Sequence, residues 1–122
     1  MKRNWDTIRE ILLKGEELEF GNTLTISDFD EIRAKEIEYH VKLLKESNLI
    51  KATVVEFYGG GCQFDLESLT WSGHDFLDAI RNDTIWNKTK TTIATKSGSM
   101  TFELIKSIAI ELAKAAIGSV IP

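Results

Sequence analysis

The sequence predicts an α+β fold, and three observations predict it. Five stretches place apolar residues at helical spacing. Between the second and third of them, two β-rich runs flank a triple glycine, the pattern of a hairpin. At 122 residues the chain has room for one domain with one core. Apolar residues make up 43% and charged residues 28%, with 8 Gly and 1 Pro, which excludes disordered, collagen-like and low-complexity chains. No apolar run approaches the roughly 20 residues of a membrane span. The start, Met1-Lys2-Arg3-Asn4-Trp5-Asp6, turns polar where a signal peptide turns apolar. A single cysteine suits a reducing compartment, so a cytoplasmic protein is expected.

The first helix is read over about residues 4–14, where Trp5, Ile8, Ile11 and Leu12 share a face, Asn4 caps and Gly15 stops. Residues 17–27 alternate as a strand, with Leu18, Phe20, Leu24 and Ile26 on one side and a Gly21-Asn22 turn between them. Asp28 or Asp30 starts a long helix to Ser47. Ile37, Val41 and Leu44 form its stripe and Asn48 is its left-handed stop. Residues 49–58 and 63–69 are the two strands of the hairpin, joined by Gly59-Gly60-Gly61. Ser72 then caps a helix to about Asn82, with Asp75 as its capping-box partner and Trp71 and Phe76 as its staple. Asp83-Thr84 restarts a helix through Ile85, Trp86 and Ile93, ending near Lys96 to Gly98. The last helix spans about Thr101 to Ile117 and ends at Gly118. There is no internal repeat and no long linker, so residues 1–122 read as one domain, a core over 1–82 with a two-helix extension over 83–122. A helix feeding straight into a hairpin, with another helix before it, is the winged-helix arrangement, and the hairpin is its wing.

Two blocks carry a family resemblance. Residues 37–50, IEYHVKLLKESNLI, resemble the stretch of arsenic-sensing-type bacterial winged-helix repressors in which the recognition helix leads into the first wing strand. Residues 69–77, LTWSGHDFL, resemble the segment that follows the wing in many winged-helix domains. Together with the Met-Lys-Arg start and residues 69–90, LTWSGHDFLDAIRNDTIWNKTK, the chain is similar to a family of small bacterial and prophage-encoded proteins of unknown function. The resemblance implies a winged helix and no activity. One departure stands out. Residues 22–30, NTLTISDFD, look extended where a helix-turn-helix places its supporting helix. That helix is either a turn or two around residues 28–33 or merged with the next one.

Charge sets the functional alternatives. The net charge of −4 divides into −7 over residues 1–80 and +3 over residues 81–122, and no Lys or Arg lies between Lys51 and Arg81. The expected outer face of the second helix carries Lys35, Glu38, Tyr39, Lys42, Lys45 and Glu46. The lysines and the tyrosine suit phosphate contacts, while the same spacing suits a solvated face laced with i,i+3 and i,i+4 pairs. Beyond Lys51 the wing brings only negative charge, in Glu56, Asp65 and Glu67, which removes phosphate contacts there. A second basic cluster, Arg81, Lys88, Lys90 and Lys96 around Trp86, reads as a backbone-contacting patch or as the polar face of a packed helix.

Catalysis is not expected. His40 and His74 are the only histidines and Cys62 the only thiol, so no zinc ligand set exists. His40 reads as a packed, hydrogen-bonded core residue, and Cys62, beside three glycines, reads as exposed and oxidisable. The glycines lack the Lys-Ser/Thr and helix N-terminus of a phosphate loop. Asp75 has its capping role, which leaves no acid pair with Asp78. The last helix is apolar on most sides, and Phe102, Ile105, Ile108, Leu112 and Ala116 are expected to pair two chains as a homodimer. No cofactor is expected. The expected role is a DNA-binding or regulatory accessory factor linked to prophages, with Lys35, Tyr39, Lys42 and Lys45 toward the groove and Lys88 and Lys90 on the backbone of duplex DNA. The alternative is a protein-interaction module on the same fold.

Overall fold

The computed structural model describes residues 1–96 and 98–120 and has an α+β architecture. Among these residues, five helices accompany one two-stranded antiparallel sheet. Helix α1 is Trp5–Glu16, and two single 3₁₀ turns, Ile26–Asp28 and Glu31–Arg33, lead into α2, Ala34–Glu46. Strands β1, Ile50–Glu56, and β2, Cys62–Leu69, form the hairpin. Helices α3, Trp71–Ile80, α4, Asp83–Lys96, and α5, Phe102–Val120, complete the order. The chain divides into two compact units, Met1–His74 and Asp75–Pro122, with the boundary inside α3.

In the first unit, α1 packs against α2 and β2. Asn4 caps α1 as expected, its side-chain oxygen accepting from the amides of Asp6 and Thr7. Ile8, Ile11 and Leu12 of α1, Ile37 and Val41 of α2, and Phe64 of β2 are buried, each contributing about 1.5–3 kcal/mol relative to exposure. Asn48 stops the α2 segment at φ 63, as its position implied. The hairpin is in register from Ile50 opposite Leu69 to Glu56 opposite Cys62, with one extra residue on β2 beside Lys51 and Ala52.

Several expectations are corrected. Gly15 does not end α1, which runs on to Glu16. It is buried, and a Cβ there would sit 2.8 Å from a Leu69 methyl, so close packing explains the glycine. Residues 17–27 form no strand. Only Leu24 bridges Leu66, because Gly21 turns the chain at φ 94 and the Asp28 carboxylate accepts from the Thr25 amide to close a 3₁₀ turn. The long helix starts at Ala34, not at Asp28 or Asp30, and the helix before it is the shorter of the two expected alternatives, two 3₁₀ turns, the second capped by Asp30. Thr70, not Ser72, caps α3. Its hydroxyl oxygen accepts from the Gly73 amide, and its O–H donates to the Asn48 carbonyl, joining the end of α2 to the start of α3. Trp71 is 84% exposed, so no staple with Phe76 forms.

In the second unit, α4 and α5 pack against each other, with Trp86, Ile93, Ile105 and Ala109 buried. Helix α3 ends at Ile80, and Asn82 instead caps the next helix by accepting from the Ile85 amide. Helix α4 ends at Lys96, within the expected zone, and residue 97 lies outside the described residues. Gly118 does not stop α5, which continues to Val120.

Candidate functional site

The first unit presents α2 with two sides of different character. On its inner side, polar groups lock α2 to α1. The Asn4 amide donates to His40 Nε2 at 2.7 Å, which leaves Nδ1 to carry the proton and donate to the Glu36 carbonyl at 2.7 Å. His40 is only 1% exposed, so it is the hydrogen-bonded core histidine expected. Thr7 donates to Glu36 Oε1, and Arg33 bridges Glu36 and Glu10, the latter at 2.9 Å. Arg33's hydrogen bond, then Thr7's, holds the Glu36 carboxyl below the usual carboxylate range, and the hydrogen bonds to Glu36, then Glu10, raise Arg33 in turn. Sequence spacing offers Arg33–Glu36 and Glu36–His40 as helix neighbours. Nothing in it brings Glu10, 23 residues earlier, to Arg33.

On the outer side, Lys35, Lys42 and Lys45 are exposed and Tyr39 is half-buried. Lys42 is ion-paired with Glu56 at the end of β1, and that contact raises Lys42 and lowers Glu56. Two open grooves flank Lys42. One, of about 550 Å³, is lined by Lys42, Lys45, Glu46, Val54 and Glu56. The other, of about 460 Å³, runs past Lys35, Glu38 and Tyr39 to Gly61 and Cys62. Cys62 is buried, contrary to the exposed thiol expected, because its side chain turns inward as Phe64 and Leu66 do on the same face of β2. Burial, then the Glu38 carboxylate, pushes its thiol up, against the pull of Lys42. At the hairpin tip, Gly59, Gly60 and Gly61 all have positive φ, and Tyr58 beside them is fully exposed. Val55 and Phe57 are half exposed, at 51% and 52%. Among the described residues, no three His, Cys, Asp or Glu side chains cluster as a metal site.

The remaining expected residues belong to the second unit. Lys88 is exposed and lines a shallow groove with Thr91, Thr92 and Leu112, whereas Lys90 is half-buried and lies over the Trp86 ring at 5.4 Å. Arg81 is bonded to Asp78 at 2.6 Å. Of the five α5 residues, Ile105 is fully buried within the chain. Phe102, stacked on Phe76 at 4.6 Å, is half-buried, as are Ile108 and Leu112, while Ala116 is exposed. Among the described residues, the larger exposed apolar side chains of α5 are Ile110 and Ile117.

Residues 2–99 match a family described as "Hypothetical protein (DUF2513)". The chain belongs to the DUF2513 family. The match stops between α4 and α5. The chain is also 44% identical over 112 residues to an uncharacterized protein of Haemophilus influenzae (strain ATCC 51907 / DSM 11121 / KW20 / Rd), covering 89% of this chain and 92% of that one. The family and this relative are both described without an assigned function, which agrees with the resemblance in the sequence to a family of unknown role. No solved structure matches. Among the described residues, no helix is long and apolar enough to cross a membrane.

Proposed function

We propose that this protein is a non-enzymatic winged-helix module that binds another protein through its hairpin and the outer side of α2. In this reading α2 stands where a recognition helix stands, the hairpin is the wing, and the Leu24–Leu66 bridge is the vestige of a third strand. The observation that carries the protein-binding choice is the pairing of Lys42 with Glu56. A phosphate reaching Lys42 must displace a carboxylate the chain itself supplies, and beyond Lys51 at its base the hairpin offers no cation in exchange. The hairpin instead exposes Val55, Phe57 and Tyr58, side chains of the kind enriched at protein interfaces.

The second reading is contact with duplex DNA through Lys35, Tyr39, Lys42 and Lys45, with Lys88 and Lys90 on the backbone. It is favoured by Lys35 and Lys45, which are exposed and have no ion pair among the described residues. Fluorescence anisotropy with random-sequence duplex separates the two. Protein docking predicts no saturable binding at about 50 mM salt. A steep fall of log affinity with log salt, reduced by about one in slope by Lys35→Ala or Lys45→Ala, selects DNA instead.

A further inference from the structure

The geometry points to β1 as the docking edge for a second copy of this chain, joined antiparallel about Val54 into a four-stranded sheet. The phase of the ladder decides which groups are free. The Phe57 amide donates to the Gly61 carbonyl, so with the observed register the bonded pairs recur at Val55–Gln63 and Thr53–Asp65. The amides and carbonyls of Ala52, Val54 and Glu56 therefore point away from β2. Leu66, opposite Ala52, confirms the phase from the other strand. It spends both its amide and its carbonyl on Leu24, at 2.9 Å each, facing away from β1.

The two outer edges of the sheet thus differ. Leu24 occupies that of β2 at Leu66, whereas all the outward groups of β1, at Ala52, Val54 and Glu56, have no backbone partner among the described residues. The usual protections of an edge are confined to its ends, at Lys51 and Glu56. No proline or charge falls within residues 52–55, and the extra residue of the bulge is on β2.

The chain's own β1 is complementary to this edge. With the two-fold at Val54, Val54 exchanges both backbone bonds with the partner's Val54, and Ala52 exchanges both with the partner's Glu56. Residue numbers in each opposed pair sum to an even value, so side chains meet on matching faces. On one face, Thr53 lies opposite the partner's Val55, and Lys51 opposite the partner's Phe57. The half-exposed Val55 and Phe57 thereby gain cross-strand cover. On the other face, the partner's Glu56 lies opposite Ala52, next to the 550 Å³ groove that Lys45 and Glu46 line beside the Lys42–Glu56 pair, and Lys45 has no ion pair among the described residues. This names the partner in the protein-docking reading and rests on it.

The test is the mass of the full chain by sedimentation and light scattering from about 1 to 300 μM. The expected result is a mass rising from one chain toward two, abolished by Val54→Pro. That substitution deletes an outward amide and spares the β1–β2 ladder. On the unaltered protein, exchange of the Ala52, Val54 and Glu56 amides slows about tenfold with concentration, while that of Thr53 and Val55 does not change. A single-chain mass throughout overturns the inference. So does a dimer that survives Val54→Pro with a concentration-independent Val54 amide, which would move pairing to Ile110 and Ile117 of α5. Either failure leaves the protein-docking reading standing, because only duplex binding at low salt removes that.

Discussion

The inner and outer sides of α2 use the same residue types for opposite ends. Inside, His40, Glu36 and Arg33 are each bonded to α1 or to the helix itself, and these bonds hold the two helices together. Outside, Lys35 and Lys45 have no ion partner among the described residues, and Lys42 is shared with the hairpin through an exposed pair. The lesson is that a polar side chain on a helix carries structure or function according to what faces it. Losing a buried, bonded group leaves an orphaned partner in a dry environment, whereas losing an exposed one returns its partner to water.

Substitutions sharpen this contrast, and the largest effect belongs where α2 hands over to α3. A Cβ on Gly73 would overlap the Leu49 carbonyl oxygen just past the Asn48 stop, so Gly73→Ala should cost about 3 kcal/mol in urea unfolding. His40→Ala removes the acceptor for the Asn4 amide and opens a void. A loss of about 2 kcal/mol is expected, and an unchanged midpoint would break the distinction between the two sides. Thr70→Ala deletes the α3 cap and the bond to Asn48, for about 1 kcal/mol by the same measurement.

Smaller effects follow on titration and salt. Glu36 titrates below the ordinary carboxylate range when folded, so its contribution is present above the unfolded pKa and is lost as pH falls through the folded one. Stability measured from pH 5 down to pH 3, roughly, should therefore fall more steeply in the wild type than in Glu36→Gln. The smallest effect is at Lys42 and Glu56. Their pair is exposed to water, so Lys42→Ala and Glu56→Gln should leave thermal stability unchanged at ordinary salt. A clear loss would show that the outer side is as structural as the inner one.

How much of this was legible depended on the range of the interaction. Signals that act within one turn or one hairpin were readable. The Asn4 cap, the Asn48 stop, the buried stripe of Ile37, Val41 and Leu44, and the β-rich runs around the triple glycine all appear where the residues put them. Where two local signals competed, the reading failed. Ser72 and Thr70 are both good caps, and only the nearby Asn48 carbonyl favours Thr70. Gly15 and Gly118 look like stops, yet neither has a positive φ, because α1 and α5 continue through them. The candidate surface was half legible. Helical periodicity put Lys35, Tyr39, Lys42 and Lys45 on one face, but it said nothing of Glu56 meeting Lys42.

By itself, then, the sequence determined the five helices, the hairpin, their order and the amphipathic faces, since each follows from contacts between residues a few positions apart. It did not determine the first 3₁₀ turn, which stands where the spacing reads as a strand. Tertiary structure alone decided which charges are neutralised, which thiol is buried and which strand edge is left open. Those outcomes depend on partners such as Glu10 for Arg33 and Leu24 for Leu66, brought together only when the chain closes on itself. The free energy of such meetings is set by burial and geometry, which no spacing along the chain encodes.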